Sequence, residues 1–511
     1  MFTKCYASTL IGIEALTVEV EVNITPGIGM FLVGLPDNAI RESQERIRSA
    51  FENSGFKMPG RKTVVNLAPA DIRKEGSSLD LTIATAILAA TDQISRERLQ
   101  KYMIMGELSL DGTVKPIRGS LPIAVNASQQ GFRGFILPEE NAPEAAVVQG
   151  LEIIAVRSLR QVAEFLNGTL RPSPVLVPAE PAENDSSLYA EDFADVKGQV
   201  YVKRALEVAA AGAHNIVLIG PPGSGKTMLA RRMRTIMPPM TGSESLETTK
   251  IHSVAGKQGS MKGLLRERPF RAPHHLTSQV ALIGGGTNPM PGEISLAHNG
   301  ILFLDELPEF GRNTLEILRQ PLEEKKITVS RAKYSVEYPA NFMLIGAMNP
   351  CPCGYYNHPT KECSCSIGTV YKYMNRISGP MLDRIDMHIE AAPVTYSDMT
   401  NELPSETSAE IRKRVIAART RQEKRFAGLA GIHTNSMMTQ SMINSLCPLD
   451  AACRALLEKA MNKFELSARA YSRIIKVART IADLEDSDAI ATRHIAEAIN
   501  YRSLDRKEWG R

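Results

Sequence analysis

Two short segments of the sequence carry residues that could bind and cleave a nucleoside triphosphate. The first reads GPPGSGKT and directly follows the apolar run Ile216–Ile219. A glycine-rich turn between a strand and a helix lets backbone N–H groups converge on phosphate oxygens, and the helix dipole favours the anion. The predicted nucleotide-binding residues are Gly220, Pro221, Pro222, Gly223, Ser224, Gly225, Lys226 and Thr227.

The second segment reads ILFLDE and ends in two adjacent carboxylates, Asp305 and Glu306. Its apolar part is typical of a buried strand. Asp305 is expected to hold magnesium together with the Thr227 hydroxyl, and Glu306 is expected to polarise the attacking water. A phosphate loop after one strand and an acidic pair after another predict an ATPase that uses ATP and magnesium.

Composition and charge restrict the other possibilities. The chain has 511 residues, of which 43% are hydrophobic and 23% charged, and this balance is typical of a globular protein with several domains. A net charge of +4 means that any nucleic-acid site must come from local basic patches. No apolar run reaches the ~18–20 residues of a membrane span, and the N-terminus does not resemble a signal peptide. We therefore expect a cytoplasmic protein without a membrane partner.

The chain divides into four regions by its patterns. Residues 1–168 mix strand and helix periodicities, and residues 169–187 are rich in proline, serine and acidic residues, as in a linker. Residues 188–394 contain the nucleotide motifs, and residues 395–511 show helical periodicity throughout. These patterns predict an α/β protein with a small C-terminal helical domain.

From about Asp192 to the C-terminus, the order of motifs resembles the AAA+ family. Asn349 follows the apolar segment FMLIG at 342–346, Arg384 lies in SGPMLDRID, and Arg469 lies in SARAYSR. The resemblance implies a P-loop core with a C-terminal helical lid. It further implies that Asn349 orients the attacking water and that Arg384 enters a neighbour's site as a finger. Arg469 would be the second sensor, with Arg473 as the other candidate; a surface ion pair is the alternative for Arg384 and Arg469.

A finger that acts on a neighbour requires a homo-oligomer, and the family's usual assembly is a hexameric ring. Within AAA+, the segment RPFRAPHHLTSQVALIGGGTNPMPGEISLAHNG at 268–300 resembles the magnesium-chelatase-like branch. That branch carries an insertion in the second helix of the core and a hairpin before the first sensor. The hairpin is expected within residues 326–338, where Arg331 and Lys333 near its turn could bind a DNA backbone. A solvated turn is the alternative. A metal shared by His274 and His275 is not expected, because neighbours in a strand point to opposite faces.

Four of the seven cysteines form two pairs after Asn349, namely Cys351 with Cys353 and Cys363 with Cys365. Residues two apart on an extended chain point to one side, so both pairs could converge on a tetrahedral zinc ion. Free thiols remain the alternative, and His358 is a spare candidate ligand. The other three cysteines are expected to be ordinary thiols of a reducing compartment.

The N-terminal region resembles the Lon protease domain in two segments, RKEGSSLDL at 73–81 and MGELSLDGTVKPIRG at 105–119. Ser78 occupies the position of the catalytic serine in Lon, whereas the position of the lysine falls on Leu121. A serine without a base is a weak nucleophile. We therefore expect an α+β, Lon-protease-like domain that is not proteolytic.

Taken together, the Lon-like region, the linker, this ATPase branch and the cysteine cluster resemble the ComM/YifB family along nearly the whole chain. The resemblance implies an ATP-driven DNA helicase and branch-migration motor that acts on single-stranded or branched DNA in natural transformation. Recombination proteins would be possible partners. A magnesium-chelatase-type or other protein-remodelling AAA+ ATPase is the alternative.

Overall fold

The computed structural model describes residues 1–171, 175, 190–257, 263–286, 289–331, 334–393, 405–429 and 431–505. Most of the predicted linker, 169–187, lies outside these residues. The chain forms two compact units. The first comprises Met1–Glu180, Gly242–Leu265 and Pro289–Pro291; the second comprises Pro181–Thr241, Arg266–Asn288 and Gly292–Arg511.

The first unit is built on a mixed sheet. Its strands are β1 (Phe2–Ile11), β2 (Glu14–Thr25), β3 (Met30–Val33), β4 (Lys62–Ala68), β5 (Tyr102–Ile104), β6 (Glu107–Leu108), β7 (Val114–Lys115), β8 (Gly134–Pro138), β9 (Glu152–Val156) and β13 (Met290–Pro291). Its helices are α1 (Asn38–Ser54), α2 (Asp80–Ala90), α3 (Ser120–Gln129), α4 (Ala142–Ala145), α5 (Leu159–Leu166) and α8 (Gly242–Val254).

Seven of these strands form one sheet in the order β3-β4-β2-β1-β5-β8-β9. β2 pairs antiparallel with β1 and β4, whereas β5, β8 and β9 continue in parallel. Alternate residues of β2 are buried, as expected for a strand with one covered face. Every residue of α2 is buried, so this helix lies in the core of the unit.

α8 belongs to the first unit although its sequence lies between the two nucleotide motifs. It packs against α3. The backbone N–H of Gly119 donates to the Ser253 carbonyl at 3.2 Å, and the Lys250 amine lies 3.8 Å from the Glu14 carboxylate. Part of the segment between the motifs, Gly242–Leu265, therefore belongs to the N-terminal unit.

The second unit contains a parallel sheet and most of the helices. Its strands are β10 (Ile216–Ile219), β11 (Phe270–Arg271), β12 (Gly284–Gly285), β14 (Ile301–Leu304), β15 (Lys326–Arg331), β16 (Tyr334–Pro339), β17 (Met343–Met348) and β18 (Met387–Glu390). Its helices are α6 (Val200–Gly212), α7 (Lys226–Ile236), α9 (Gln279–Ile283), α10 (Glu293–Leu296), α11 (Arg312–Ile317), α12 (Arg319–Glu324), α13 (Ile367–Met374), α14 (Gly379–Leu382), α15 (Ser408–Arg425), α16 (Gln440–Leu446), α17 (Ala451–Phe464), α18 (Ala468–Leu484) and α19 (Thr492–Asn500).

The main sheet has the order β11-β14-β17-β10-β18, and all its neighbours run parallel. β10, β14 and β17 consist of buried residues only, as expected for strands covered on both faces. The predicted α/β class and its parallel sheet are confirmed. The carboxyl ends of these strands meet at one sheet edge, where the nucleotide motifs follow.

The C-terminal part of the second unit is helical, as its periodicity predicts. The apolar faces of α15, α18 and α19 share one core with α6 and the sheet. Side chains cap several of these helices: Thr407 accepts from Glu410 N, and Asp450 accepts from Cys453 N. Among the described residues, no helix combines the length and apolarity that crossing a membrane requires.

Candidate nucleotide site and cysteine cluster

The phosphate loop connects β10 to α7 and depends on its glycines. Gly223 and Gly225 have φ angles of 79° and 78°, in the left-handed region that glycine adopts without strain. A Cβ atom on Gly220 would lie 2.4 Å from the carbonyl oxygen of Ala391, so a larger residue has no room. The loop therefore has the backbone shape and the close packing that a phosphate cradle needs.

Lys226 begins α7, and its amine lies inside the loop. The amine donates to the carbonyl oxygens of Gly220 at 2.7 Å and Pro221 at 2.9 Å. Burial lowers the pKa of Lys226, and the nearby Asp305 carboxylate opposes this shift. The amide oxygen of Asn349, just beyond β17, lies 3.4 Å from the same amine. The structure thus brings the predicted sensor to the predicted phosphate-binding lysine.

The two carboxylates follow β14 at the same sheet edge. The hydroxyl of Thr227 donates to Asp305 Oδ2 at 2.8 Å, so these two oxygen ligands are close enough to share a magnesium ion. Glu306 has a φ of 51°, and its backbone N–H donates to Asp305 Oδ1 at 2.9 Å. Its side chain is 56% exposed and accessible to water. The donor set fits magnesium, and Glu306 is placed to polarise a water molecule.

Arg384 lies at the opposite edge of the same sheet. Asn215 immediately precedes β10, and its side chain donates to the Arg384 carbonyl at 3.3 Å. The phosphate loop begins after the other end of this strand, about 16 Å away at the rise of an extended chain. The Arg384 guanidinium donates to Pro380 O at 2.6 Å and pairs with Glu323 at 2.5 Å. The structure therefore does not bring Arg384 to the phosphate loop of its own chain.

Arg384 lines a polar cavity of about 370 Å³. The other charged residues around it are Glu323, Lys325, Asp386, Arg473 and Lys476. Burial alone would raise the pKa of the Asp386 carboxyl, but the paired Arg473 guanidinium, together with His214 and Lys476, holds that pKa well below its usual range. Burial lowers the pKa of Lys476 to about 8. Four cations face two carboxylates here, so the cavity has an excess of positive charge.

Arg469, the predicted second sensor, also lies near this edge. Its guanidinium is 3.7 Å from the carboxylate of Asp383, which immediately precedes Arg384, and its side chain is 61% exposed. Arg473, the other candidate, points into the cavity. The structure thus groups the predicted finger and both sensor candidates together, and apart from the phosphate loop.

The hairpin before the first sensor is present. β15 and β16 pair antiparallel, with Arg331 opposite Tyr334 at the turn. Lys333 lies outside the described residues, and only the backbone of Arg331 is described. At the other end of the hairpin, Lys326 pairs with Glu337 at 2.8 Å. The DNA-binding role of Arg331 and Lys333 stays a prediction.

The four cysteines of the cluster come together. The sulfurs of Cys351, Cys353, Cys363 and Cys365 all lie within 4.8 Å of one another. The Cys353 sulfur lies 3.3 Å from that of Cys351 and 3.5 Å from that of Cys363, and the Cys351 and Cys363 sulfurs are 3.7 Å apart. Tetrahedral zinc with Zn–S bonds of about 2.3 Å places its sulfurs about 3.8 Å apart. The cluster could therefore hold a metal ion, and its geometry and thiolate chemistry fit zinc.

His358 is not part of this cluster. Its Nδ1 atom accepts the backbone N–H of Lys361 at 3.0 Å, and the residue is half-buried. Cys5, Cys447 and Cys453 are buried free thiols. In the first unit, Leu121 is fully buried in α3, so the position that resembles the Lon lysine belongs to the apolar core.

Comparisons with known proteins agree with these motifs. Three family models match: "Magnesium chelatase, subunit ChlI" at residues 192–399, "Subunit ChlI of Mg-chelatase" at 20–141, and "Magnesium chelatase, subunit ChlI C-terminal" at 405–502. A Lon protease from Lachnoclostridium phytofermentans is 29% identical over 29% of this chain and 19% of its own length. This partial match supports the Lon-like fold of the N-terminal region only weakly.

Two relatives match over nearly the whole chain. Competence protein ComM from Haemophilus influenzae is 44% identical over 98% of this chain and 97% of its own length. The Escherichia coli protein YifB is 42% identical over 97% of this chain and 96% of its own length. The chain belongs to the ComM/YifB family. The chain accordingly contains a magnesium-chelatase-like AAA+ core, which the family model matches at residues 192–399.

In this ComM/YifB family member, His275 contacts the acidic pair, a contact that the sequence did not predict. His275 Nδ1 lies 3.2 Å from Glu306 Oε2. The two histidines lie in a loop, and their ring centroids are 4.1 Å apart. The reasoning from a strand, in which neighbours point to opposite faces, does not apply here, because the pair lies in a loop. The adjacent HH pair was visible in the sequence, but its contact with Glu306 depends on the packing of two distant loops.

We expect His275→Ala to slow ATP hydrolysis about tenfold without weakening ATP binding, because the Glu306 carboxylate would lose the group that orients it. Single-turnover hydrolysis and equilibrium nucleotide binding measure the two effects separately. His275→Asn, which keeps an N–H donor, should recover part of the rate. His274→Ala is the matched control, since His274 Nδ1 contacts only the Leu276 backbone among its described hydrogen bonds. Equal rates for both alanine variants would contradict this role.

Proposed function

We propose that this ComM/YifB family member is an ATP-driven, ring-forming DNA motor. It would act as a helicase and branch-migration translocase on recombination intermediates in natural transformation. The observation that carries the proposal is the nucleotide site: Lys226, Asp305 and Asn349 meet at one sheet edge. The name of the Haemophilus influenzae relative, a competence protein, supports the link to DNA uptake.

The chain's own residues would divide the work of hydrolysis. Backbone N–H groups of the loop and the Lys226 amine would bind the phosphates of ATP, in place of the carbonyl contacts that the amine now makes. Thr227 and Asp305 would hold magnesium, which neutralises phosphate charge. Glu306 would take a proton from the attacking water, with Asn349 orienting that water and His275 orienting the carboxylate.

The position of Arg384 supports the proposed ring. Because Arg384 and Arg469 lie at the edge opposite the phosphate loop of their own chain, we propose that they serve a triphosphate in a neighbouring subunit. A head-to-tail contact that joins one edge to the other closes into a ring when the rotation allows it. The Arg384 guanidinium would have to leave Glu323, whose side chain is 52% exposed and can remain hydrated without it. A hexamer is the assembly that we propose.

We expect Arg384→Ala to retain ATP binding and to lose turnover by about 10³-fold, the usual size of a finger's contribution. Rings mixed from Arg384→Ala and Lys226→Ala subunits should recover activity, since some interfaces pair an intact loop with an intact finger. Steady-state ATPase rates of the separate and mixed proteins measure this. Arg319→Ala, which removes a surface pair with Glu316, is the control. A mixture as inactive as its components would refute action between subunits.

The hairpin is the part proposed to touch DNA. We expect single-stranded or branched DNA to stimulate ATP hydrolysis, and Arg331→Ala with Lys333→Ala to weaken that stimulation while sparing basal turnover. Lys326→Ala, at the base of the hairpin, is the matched control. The assay is ATPase rate against DNA concentration at stated salt, because phosphate contacts weaken as salt rises. An ATPase indifferent to every DNA would favour a protein-remodelling or chelatase-type motor.

We also propose that the four clustered cysteines hold one structural zinc ion. Elemental analysis of the purified protein should find about one zinc per chain, the number that one tetrahedral site of four thiolates binds. Cys363→Ser with Cys365→Ser should abolish it, whereas Cys453→Ala should not, because that thiol lies outside the cluster. Zinc-free wild-type protein, purified without chelator and with all thiols reduced, would remove the metal from the proposal.

A further inference from the structure

The loop that carries the four cysteines lies directly against the phosphate loop. A Cβ atom on Gly354 would be 2.5 Å from Cδ and 2.8 Å from Cγ of Pro222, the third residue of the phosphate loop. Gly354 has a φ of 84°, a conformation that residues with a Cβ atom rarely adopt. The backbone at Gly354 thus packs on the Pro222 ring at a distance that only glycine permits.

This approach is fixed by the first cysteine pair. Gly354 directly follows Cys353, and its backbone N–H donates to the Cys351 carbonyl at 3.0 Å, which closes a tight turn. The Cys351 sulfur accepts the N–H of Tyr356 at 3.3 Å. Cys351 is fully buried. A metal bound to Cys351 and Cys353 would therefore hold the turn that places Gly354 against Pro222.

The same segment contacts the phosphate loop at two further points. Gly220 N–H donates to the Met348 carbonyl at 3.2 Å, and the Lys226 amine lies 3.4 Å from the Asn349 side chain. The segment thus contacts the eight-residue motif at three places. Met348 contacts its first residue, Gly354 its third and Asn349 its seventh. Gly354 lies six residues beyond the end of β17, so the strand does not fix its position as it fixes those of Met348 and Asn349.

We propose that the metal-bound cysteine loop supports the phosphate loop, so that zinc occupancy sets the affinity for nucleotide. This inference rests on the proposed zinc site and assigns it a role in the ATPase. With zinc bound, the turn keeps Pro222 in place and the loop is ready to receive phosphates. Without zinc, nothing bound to the cysteines holds the Cys351–Gly354 turn, and the phosphate loop loses the contact between Gly354 and Pro222.

The sharpest variant is Gly354→Ala, since the added methyl group would displace the Pro222 ring while all four thiols stay intact. We expect it to retain about one zinc per chain and to bind a fluorescent, non-hydrolysable ATP analogue about tenfold more weakly, the change that ~1.4 kcal/mol produces. Gly368→Ala is the matched control, because its Cβ atom would meet nothing within 4 Å. It should bind both zinc and nucleotide like the wild type.

The double variant Cys363→Ser with Cys365→Ser tests the metal itself, because it removes two thiols and changes neither Gly354 nor Pro222. We expect this variant to lose zinc and affinity together, with its overall fold checked by circular dichroism. The support role would be overturned if ATP affinity stayed unchanged in Gly354→Ala with its zinc retained and in the serine variant with its zinc lost. Zinc absent from the wild type would overturn the metal site, whatever the nucleotide affinity of Gly354→Ala.

Discussion

The candidate site depends on the buried amine of Lys226. This cation is partly removed from water, and two backbone carbonyls of its own loop and the Asn349 amide surround it. These contacts hold the amine inside the loop, where the phosphates of a triphosphate would replace them. Because carbonyl dipoles compensate a buried charge only partly, the site favours an anion with more negative charge than they supply. The parallel strand order brings Asp305 and Asn349 within reach of the same amine.

The same strand order separates two groups of residues within one unit. The groups proposed to bind phosphate follow the carboxyl ends of the strands, whereas Arg384 and the basic cavity lie at the amino ends. In the proposed ring, these two groups would be the two halves of one site. Head-to-tail assembly would unite them once the Arg384 guanidinium leaves Glu323.

The sequence was informative where a function depends on neighbouring residues. The phosphate loop, the acidic pair, the hairpin and the cysteine pairs are all local patterns, and the structure contains each of them. It was less informative where distant segments meet. The contact of His275 with Glu306, the pairing of Arg384 with Glu323, and the packing of Gly354 on Pro222 bring together residues far apart in sequence, for which no periodicity gives a signal.

The placement of α8 has a consequence for the modularity of this protein. Since Gly242–Leu265 contributes to the first unit, that unit is assembled from separate stretches of chain. Recombination between two related genes at the linker, or a chimera designed there, would join the N-terminal region of one parent to the α8 of the other. Side-chain pairs such as Lys250 with Glu14 must then remain compatible across the junction. The two halves of the gene are thus expected to be inherited together, despite a linker that looks like a natural breakpoint.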